Sequence, residues 1–298
     1  MSKANWRGSF AIPMTPYDQQ DRIDEGALCA EIRFCIAAGV GGICLPLLVS
    51  EFRSLSEDER RLMIRVGVEE CRGSDVPVVV NVAAVNTPLA VRYTEYAAIV
   101  GADAVMAMPP YIERPDWPTI RAYYTEIARA AQMPVWIQNA GFAALSADEI
   151  LVLCHDIEHV NWVKQEVPPS THSITALLDR HSPDIHGVMG GAGGKYLLAE
   201  WARGAAGCIH ACEFCDIVQR IWDLLEIGNL SEAEVIFERL LPALVAEELM
   251  GMAYAKEVMV RRGVLTNNRV RVQTKPLDAA DLREIDLIMA RLQPLFTQ

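Results

Sequence analysis

Short apolar runs rich in β-branched residues alternate along the chain with longer segments of helical period. The runs are Ser9–Pro13, Gly42–Pro46, Val76–Val82, Asp103–Met108, Pro134–Asn139, His159–Glu166, Asp184–Met189 and Ala206–Ala211. Runs of four to eight such residues bounded by Gly, Pro and Asp predict buried strands. Between them the spacing predicts helices over Gly26–Ala38, Ser56–Glu70, a segment capped by Thr87 and ending before Gly101, Asp116–Ala131, Ser146–Cys154, Thr171–Arg180 and Lys195–Gly204. Ser56-Glu57-Asp58-Glu59 fits a capping box, and Pro118 suits a first helical turn.

Eight strands separated by helices predict a (β/α)8 TIM barrel over residues 1–227. After the eighth strand one helix runs through Leu225. Ser231–Ala246, Met250–Arg262 and Asp278–Leu292 then read as a C-terminal helical extension over 228–298, with no strand signal. A doubly wound sheet would carry a glycine-rich phosphate turn after its first strand, and none stands there.

Composition adds little to this picture. The 298 residues are 51% hydrophobic and 22% charged, as in an ordinary globular protein. The net charge of -12 excludes nucleic acid and anionic membrane as partners. No apolar run reaches membrane-spanning length, and no apolar leader is seen at Met1–Trp6. The 8 cysteines are scattered, several inside apolar runs, which predicts a reducing cytoplasm.

In a barrel, the C-terminal strand ends form the active face. That places Lys164, at the end of the sixth strand, in the site. Strand alternation puts Trp162, Lys164 and Glu166 on one face if the strand runs that far. Burial favours the neutral amine, which attacks carbonyls; the alternative is a strand-end lysine reaching out to water. Glu166 is either a proton carrier beside it or a solvated loop acid. Gln138 either positions substrate or water, or is satisfied by backbone. Tyr111 either lines the site or packs at an interface. The run from Gly190 and Gly191 to Gly194 offers N–H groups to an anionic substrate group, or serves tight strand-to-helix packing. Cys208, His210, Cys212 and Cys215 raise a metal site. Three of them lie along one strand, where alternate residues are about 7 Å apart, so they do not wrap one tetrahedral ion, and no metal is expected.

Several motifs together resemble the pyruvate-dependent class I aldolases of the dihydrodipicolinate synthase and N-acetylneuraminate lyase family. They are Thr15-Pro16, Ser50-Glu51 ahead of Leu55-Ser56-Glu57-Asp58-Glu59-Arg60, Gly101-Ala102-Asp103-Ala104-Val105 leading to Pro109-Pro110-Tyr111, Pro134-Val135, Lys164, and Gly204-Ala205-Ala206-Gly207. The resemblance covers nearly the whole chain. It implies an imine between Lys164 and a small-molecule 2-oxo acid, no separate cofactor, Ile209 over the bound substrate, Val49 and Ser50 near its carboxylate, and a homotetramer.

The chain also departs from that family. Its usual Gly-Thr-Thr-Gly-Glu loop is here Leu47-Leu48-Val49-Ser50-Glu51. Its Tyr-Asn-Val-Pro strand end is Gln138-Asn139-Ala140-Gly141. Ile112 replaces the second tyrosine of the synthase branch, and Phe142-Ala143-Ala144 lacks its substrate-gripping arginine. A glutamine amide cannot carry a proton as a phenol does. Ser50-Glu51, Gln138, Lys164 and Glu166 look instead like the branch containing 2-keto-3-deoxy-L-arabonate dehydratase, although Leu48 and Asn139 depart from it. The expected activity is that of a Schiff-base dehydratase or aldolase on a small 2-oxo acid. A synthase-like or sialic-acid-lyase-like aldolase, and a catalytically silent sugar-acid-binding barrel, are the alternatives.

Overall fold

The computed structural model describes residues 6–141, 144–272 and 275–297. The departure at Phe142 and Ala143 and most of the N-terminal segment lie outside them. Eight strands follow one another around a closed barrel: β1 (Gly8–Ile12), β2 (Gly42–Leu45), β3 (Val78–Asn81), β4 (Ala104–Ala107), β5 (Val135–Asn139), β6 (Val160–Gln165), β7 (Gly187–Gly190) and β8 (Gly207–Ala211). The connecting helices are α1 (Glu25–Ala37), α2 (Glu57–Cys71), α3 (Thr87–Val100), α4 (Trp117–Ala131), α5 (Ala147–Asp156), α6 (Ser170–Leu178) and α7 (Leu197–Trp201). The chain closes on α8 (Cys215–Glu226), α9 (Leu230–Met250), α10 (Met252–Arg261) and α11 (Ala279–Leu292). The (β/α)8 barrel with a C-terminal helical part is thus the fold expected from the pattern.

Local chemistry sets the helix starts. The Ser56 capping box forms as expected, and Ser146 makes a second one with Glu149. Asp116 caps α4 through the Thr119 N–H, with Pro118 in the first turn. The third helix is capped one residue earlier than expected. Asn86 accepts from the Leu89 N–H at 3.0 Å, and Thr87 is already helical. The seventh strand is shorter than its apolar run, because Ser182 and Asp184 close a side-chain turn that takes Asp184 out of the ladder. The seventh helix ends at Trp201, three residues before Gly204, whose φ of 89° is left-handed.

Contacts divide the chain into two compact units. One is built on Pro77–Ile209 with the segment ending at Arg7. In it β3 to β8 run parallel, and the rows Trp136–Trp162–Gly187 and Gln138–Lys164–Met189 cross β5, β6 and β7 in register. The Trp136 and Trp162 rings stack at 4.9 Å, and Trp6 leans on both. A side chain at Gly187 would collide with the Trp162 ring, so that tryptophan layer needs glycine on β7.

The other unit comprises Gly8–Val76 and His210–Gln298, so α9, α10 and α11 group with the first two βα repeats. His210 is buried there. Its Nε2 lies 2.6 Å from Ser9 Oγ and its Nδ1 2.8 Å from the Ala211 carbonyl. The carbonyl accepts only, so Nδ1 carries the proton and Nε2 accepts from the serine. Burial pulls the His210 pKa down to about 4. The neutral ring is therefore the folded form. As pH falls below about 6.5 the unfolded chain gains a proton that the folded one refuses until about pH 4. Stability is lost across that window, by about 3 kcal/mol in all. Glu31, pushed up to about 8 by burial, works the other way between pH 8 and 4.5. The effect is therefore read as the difference between wild type and His210→Gln in urea melts from pH 7 to 4: the wild type should lose the more stability.

Candidate active site

Lys164 and Gln138 are register partners on β6 and β5. Side chains of such partners leave the sheet on the same side, here the side of the stacked tryptophans two residues earlier. The ladder continues one step past β6, because the Glu166 N–H donates to the Asn139 carbonyl at 2.9 Å. Glu166 therefore comes back to the Lys164 face, as the alternation anticipated.

The three side chains form one chain of contacts. Lys164 Nζ lies 3.0 Å from Glu166 Oε1. Gln138 Nε2 donates to the other carboxylate oxygen, Oε2, at 2.7 Å. Lys164 is 4% exposed and Glu166 19%, so the pair is largely withdrawn from water. Gln138 Oε1 is buried and accepts nothing among the described residues. A buried acceptor without a donor costs free energy, and a bound hydroxyl or water would recover it.

Gly191 follows β7 and closes this cluster. A Cβ there would sit against Glu166 Cγ and within 2.9 Å of Lys164 Cε. Gly191→Ala should displace both groups and lower kcat about 100-fold, as an ångström-scale misplacement does. A circular-dichroism melt close to wild type would show that the loss is local. Gly190 serves packing instead: its missing Cβ leaves room for the Glu200 carboxylate. Further along, the Gly193 and Lys195 N–H groups bond to the Gly191 and Ala192 carbonyls within the turn. The glycine run is thus held by its own backbone and by close packing.

Asn139 is on the opposite side of β5 from Gln138. Its amide bonds to Leu145 and to Gln165, so the structure does not bring it to Lys164. Ile209 is fully buried on β8. Tyr111 is partly buried in the loop after β4, and its neighbour Ile112 is 73% exposed.

Val49 and Ser50 lie in the loop after β2. The Ser50 hydroxyl donates to the Pro13 carbonyl at 2.6 Å and accepts from the Leu47 N–H at 3.1 Å. Thr15 donates to the Ser50 carbonyl. Ser50 is therefore occupied in shaping its own loop, and Val49 is partly buried beside it. Cys212 Sγ lies 3.7 Å from Glu31 Oε1, and Cys208 is buried on β8. Among the described residues no group of three or more His, Cys, Asp or Glu side chains is arranged to hold a metal ion. No described helix is long and apolar enough to cross a membrane.

Two features escaped the sequence. Gln165 pairs with Asn139 behind the row of Gln138 and Lys164; period two could have flagged it as the outward neighbour of Lys164. Lys256 binds Glu51 from 205 residues away, and no local pattern signals that.

An amine and a carboxylate are thus held in contact at the C-terminal ends of parallel barrel strands, the end at which barrel enzymes carry their active sites. The chain belongs to the dihydrodipicolinate synthetase family, whose model matches residues 5–291, and it is an enzyme of that lyase and aldolase class. It is similar to L-2-keto-3-deoxyarabonate dehydratase of Azospirillum brasilense, 28% identical over 295 residues, which cover 97% of this chain and 95% of the relative. It is also 28% identical to 4-hydroxy-tetrahydrodipicolinate synthase of Pelodictyon phaeoclathratiforme, over 96% of this chain and 97% of that one. The crystal structure of dihydrodipicolinate synthase from Rhodopseudomonas palustris shares the fold. Its TM-score is 0.88 at 23% identity, with 97% of this chain and 98% of that chain covered.

Proposed function

We propose that the protein is a Schiff-base dehydratase of a 2-keto-3-deoxy sugar acid, with Lys164 forming the imine and Glu166 moving the protons. The observation that carries this reading is the 3.0 Å contact between Lys164 Nζ and a carboxylate whose other oxygen is held by Gln138. Glu166 takes a proton from the ammonium, and the free amine attacks C2 of the 2-oxo acid. Glu166 returns that proton to the carbinolamine hydroxyl, which leaves as water, so a protonated imine remains as electron sink and Glu166 is again a base. Glu166 then removes a C3 proton to give the enamine, which expels the C4 hydroxyl. The proton just collected leaves with that hydroxyl as water. Hydrolysis of the imine frees the dehydrated 2-oxo acid and returns Lys164.

One carboxylate thus serves in turn as base and acid, a role a phenol fills in relatives that keep the strand-end tyrosine. Gln138 cannot carry protons, but it fixes the Glu166 rotamer through one bond. Full-length similarity is equal for the Azospirillum dehydratase and the Pelodictyon synthase; the replacement of the strand-end tyrosine by Gln138 supports dehydration over aldol chemistry of the synthase kind. The test is turnover of a panel of 2-keto-3-deoxy sugar acids. Consumption without pyruvate release supports dehydration. Pyruvate release would replace it with aldol cleavage of the synthase or sialic-acid-lyase kind. No turnover and no imine would leave a sugar-acid-binding barrel.

A further inference from the structure

The face of β5 and β6 turned away from Lys164 borders a cavity of about 370 Å³ between α5 and α6. That is within the range of small-molecule sites, about 300–1,000 Å³. Leu145, Ile150, Val167 and Leu177 give it apolar walls, and Gln165 and His172 are the polar residues that matter here.

Gln165 is 1% exposed, and its amide has a fixed orientation. The Leu145 N–H donates to Asn139 Oδ1 at 2.7 Å, so Asn139 must present Nδ2 on its other side. That Nδ2 donates to Gln165 Oε1 at 2.9 Å. Turning the Gln165 amide over would set two N–H groups against each other. Gln165 Nε2 is therefore left as a buried donor with no acceptor among the described residues. Such a group is expected to find one.

The two helices beside the cavity start differently. The α5 start is closed by the Ser146–Glu149 capping box. The α6 start has Pro169 at its cap and no side-chain cap, and its His172 N–H turns back to the Pro169 carbonyl at 3.0 Å. His172 stands in that turn. An unsatisfied amide donor, a helix start without a side-chain cap and an imidazole able to donate favour an acceptor group such as a carboxylate.

We propose that this cavity is a second ligand site, taking a small monocarboxylate with an apolar body. Its carboxylate accepts from Gln165 Nε2, and its aliphatic or aromatic part lies against the leucine and isoleucine wall. Gln165 and Asn139 directly follow Lys164 and Gln138 on the same two strands. An occupant thus bears on strand ends whose other side holds the Lys164 cluster, and the ligand modulates the reaction without touching substrate. The binding half of the proposal stands alone; the modulation rests on the proposed function.

Phenylacetate and 3-methylbutanoate are suitable probes, since neither has a 2-oxo group to form an imine. Calorimetry on the full chain should show one saturable site for at least one of them, retained in Lys164→Ala. Their neutral amides should bind at least tenfold more weakly. Gln165→Glu, which keeps the acceptor for Asn139 and replaces the donor by an acidic oxygen, should weaken binding at least tenfold. Ala176→Phe, which fills the cavity, should do the same while the thermal melt is kept. Absence of saturable binding by both carboxylates overturns the proposal, as does binding that both variants leave unchanged or that Lys164→Ala abolishes. Wild-type turnover of the sugar acid should change when the probe saturates and stay constant in Ala176→Phe. Binding without any change in turnover would overturn the modulation and leave the site. If no sugar acid is turned over, the calorimetric result still decides the site.

Discussion

Borohydride reduction in the presence of pyruvate should attach one adduct to the wild-type chain, at Lys164, and none to Lys164→Ala. The argument starts from the environment of the amine. A strand lysine 4% exposed is held out of water, where its charged form must be compensated. Its compensation is a single carboxylate at 3.0 Å, which can also remove the proton that blocks attack. The deeply buried Lys256 has no such freedom: its Nζ donates to Glu51 Oε1 and to the Arg269 carbonyl. Peptide mapping should therefore find the reduced adduct at residue 164 alone. Trapping that persists in Lys164→Ala would remove the basis of the mechanism. Glu166→Gln sharpens the result. It keeps an oxygen near Lys164 and removes the proton carrier, so turnover should fall by about 10²–10⁴-fold while the trapped adduct still forms, at a lower rate. Equal loss of trapping and turnover would assign Glu166 to imine formation alone.

Much of this site could be read from period two. Trp162, Lys164 and Glu166 were assigned to one face from alternation, and the ladder bond from the Glu166 N–H to Asn139 extends β6 far enough to make it so. Helix starts are legible where a single capping residue stands at the boundary, as at Ser56 and Asp116. Asn86 and Thr87 are both good caps, and composition does not separate them; the bond to the Leu89 N–H does. Ser50 shows the opposite limit. A serine in an active-face loop suggests substrate contact, yet its O–H is spent on the Pro13 carbonyl and its oxygen already accepts from the Leu47 N–H. Where a hydroxyl points depends on a segment more than thirty residues away. Asn139 is a similar case. Its position next to Gln138 suggests substrate contact, yet alternation carried across the β5–β6 register turns it outward, to Leu145 and Gln165.

Glu51→Gln should destabilise the protein by about 3–5 kcal/mol, the range for breaking a buried ion pair by removing one partner. The substitution is small in volume and severe in chemistry. Every recorded partner of this carboxylate is a donor: Lys256 Nζ at 2.6 Å on Oε1, and the Arg271 and Val272 N–H groups at 2.7 and 2.9 Å on Oε2. A carboxylate accepts on both oxygens, whereas a glutamine amide must turn its own N–H groups toward one of these donors. The pair is 0% and 1% exposed, so water does not fill the gap. Glu51 also has a φ of 55°, a left-handed conformation that a non-glycine residue adopts at a cost of about 1–2 kcal/mol. Its anchored side chain offsets that cost and fixes the corner after Val49 and Ser50. A loss of 3–5 kcal/mol is a large part of the usual 5–15 kcal/mol of a folded domain, and urea denaturation reads it directly. Lys256→Met should cost a comparable amount, because it leaves Glu51 charged and buried. Glu51→Leu combined with Lys256→Met removes both charges, and the double variant should be less destabilised than the sum of the two single ones. Strict additivity would mean that Glu51 and Lys256 act on stability independently, through the backbone segments each one ties and not through their mutual charge.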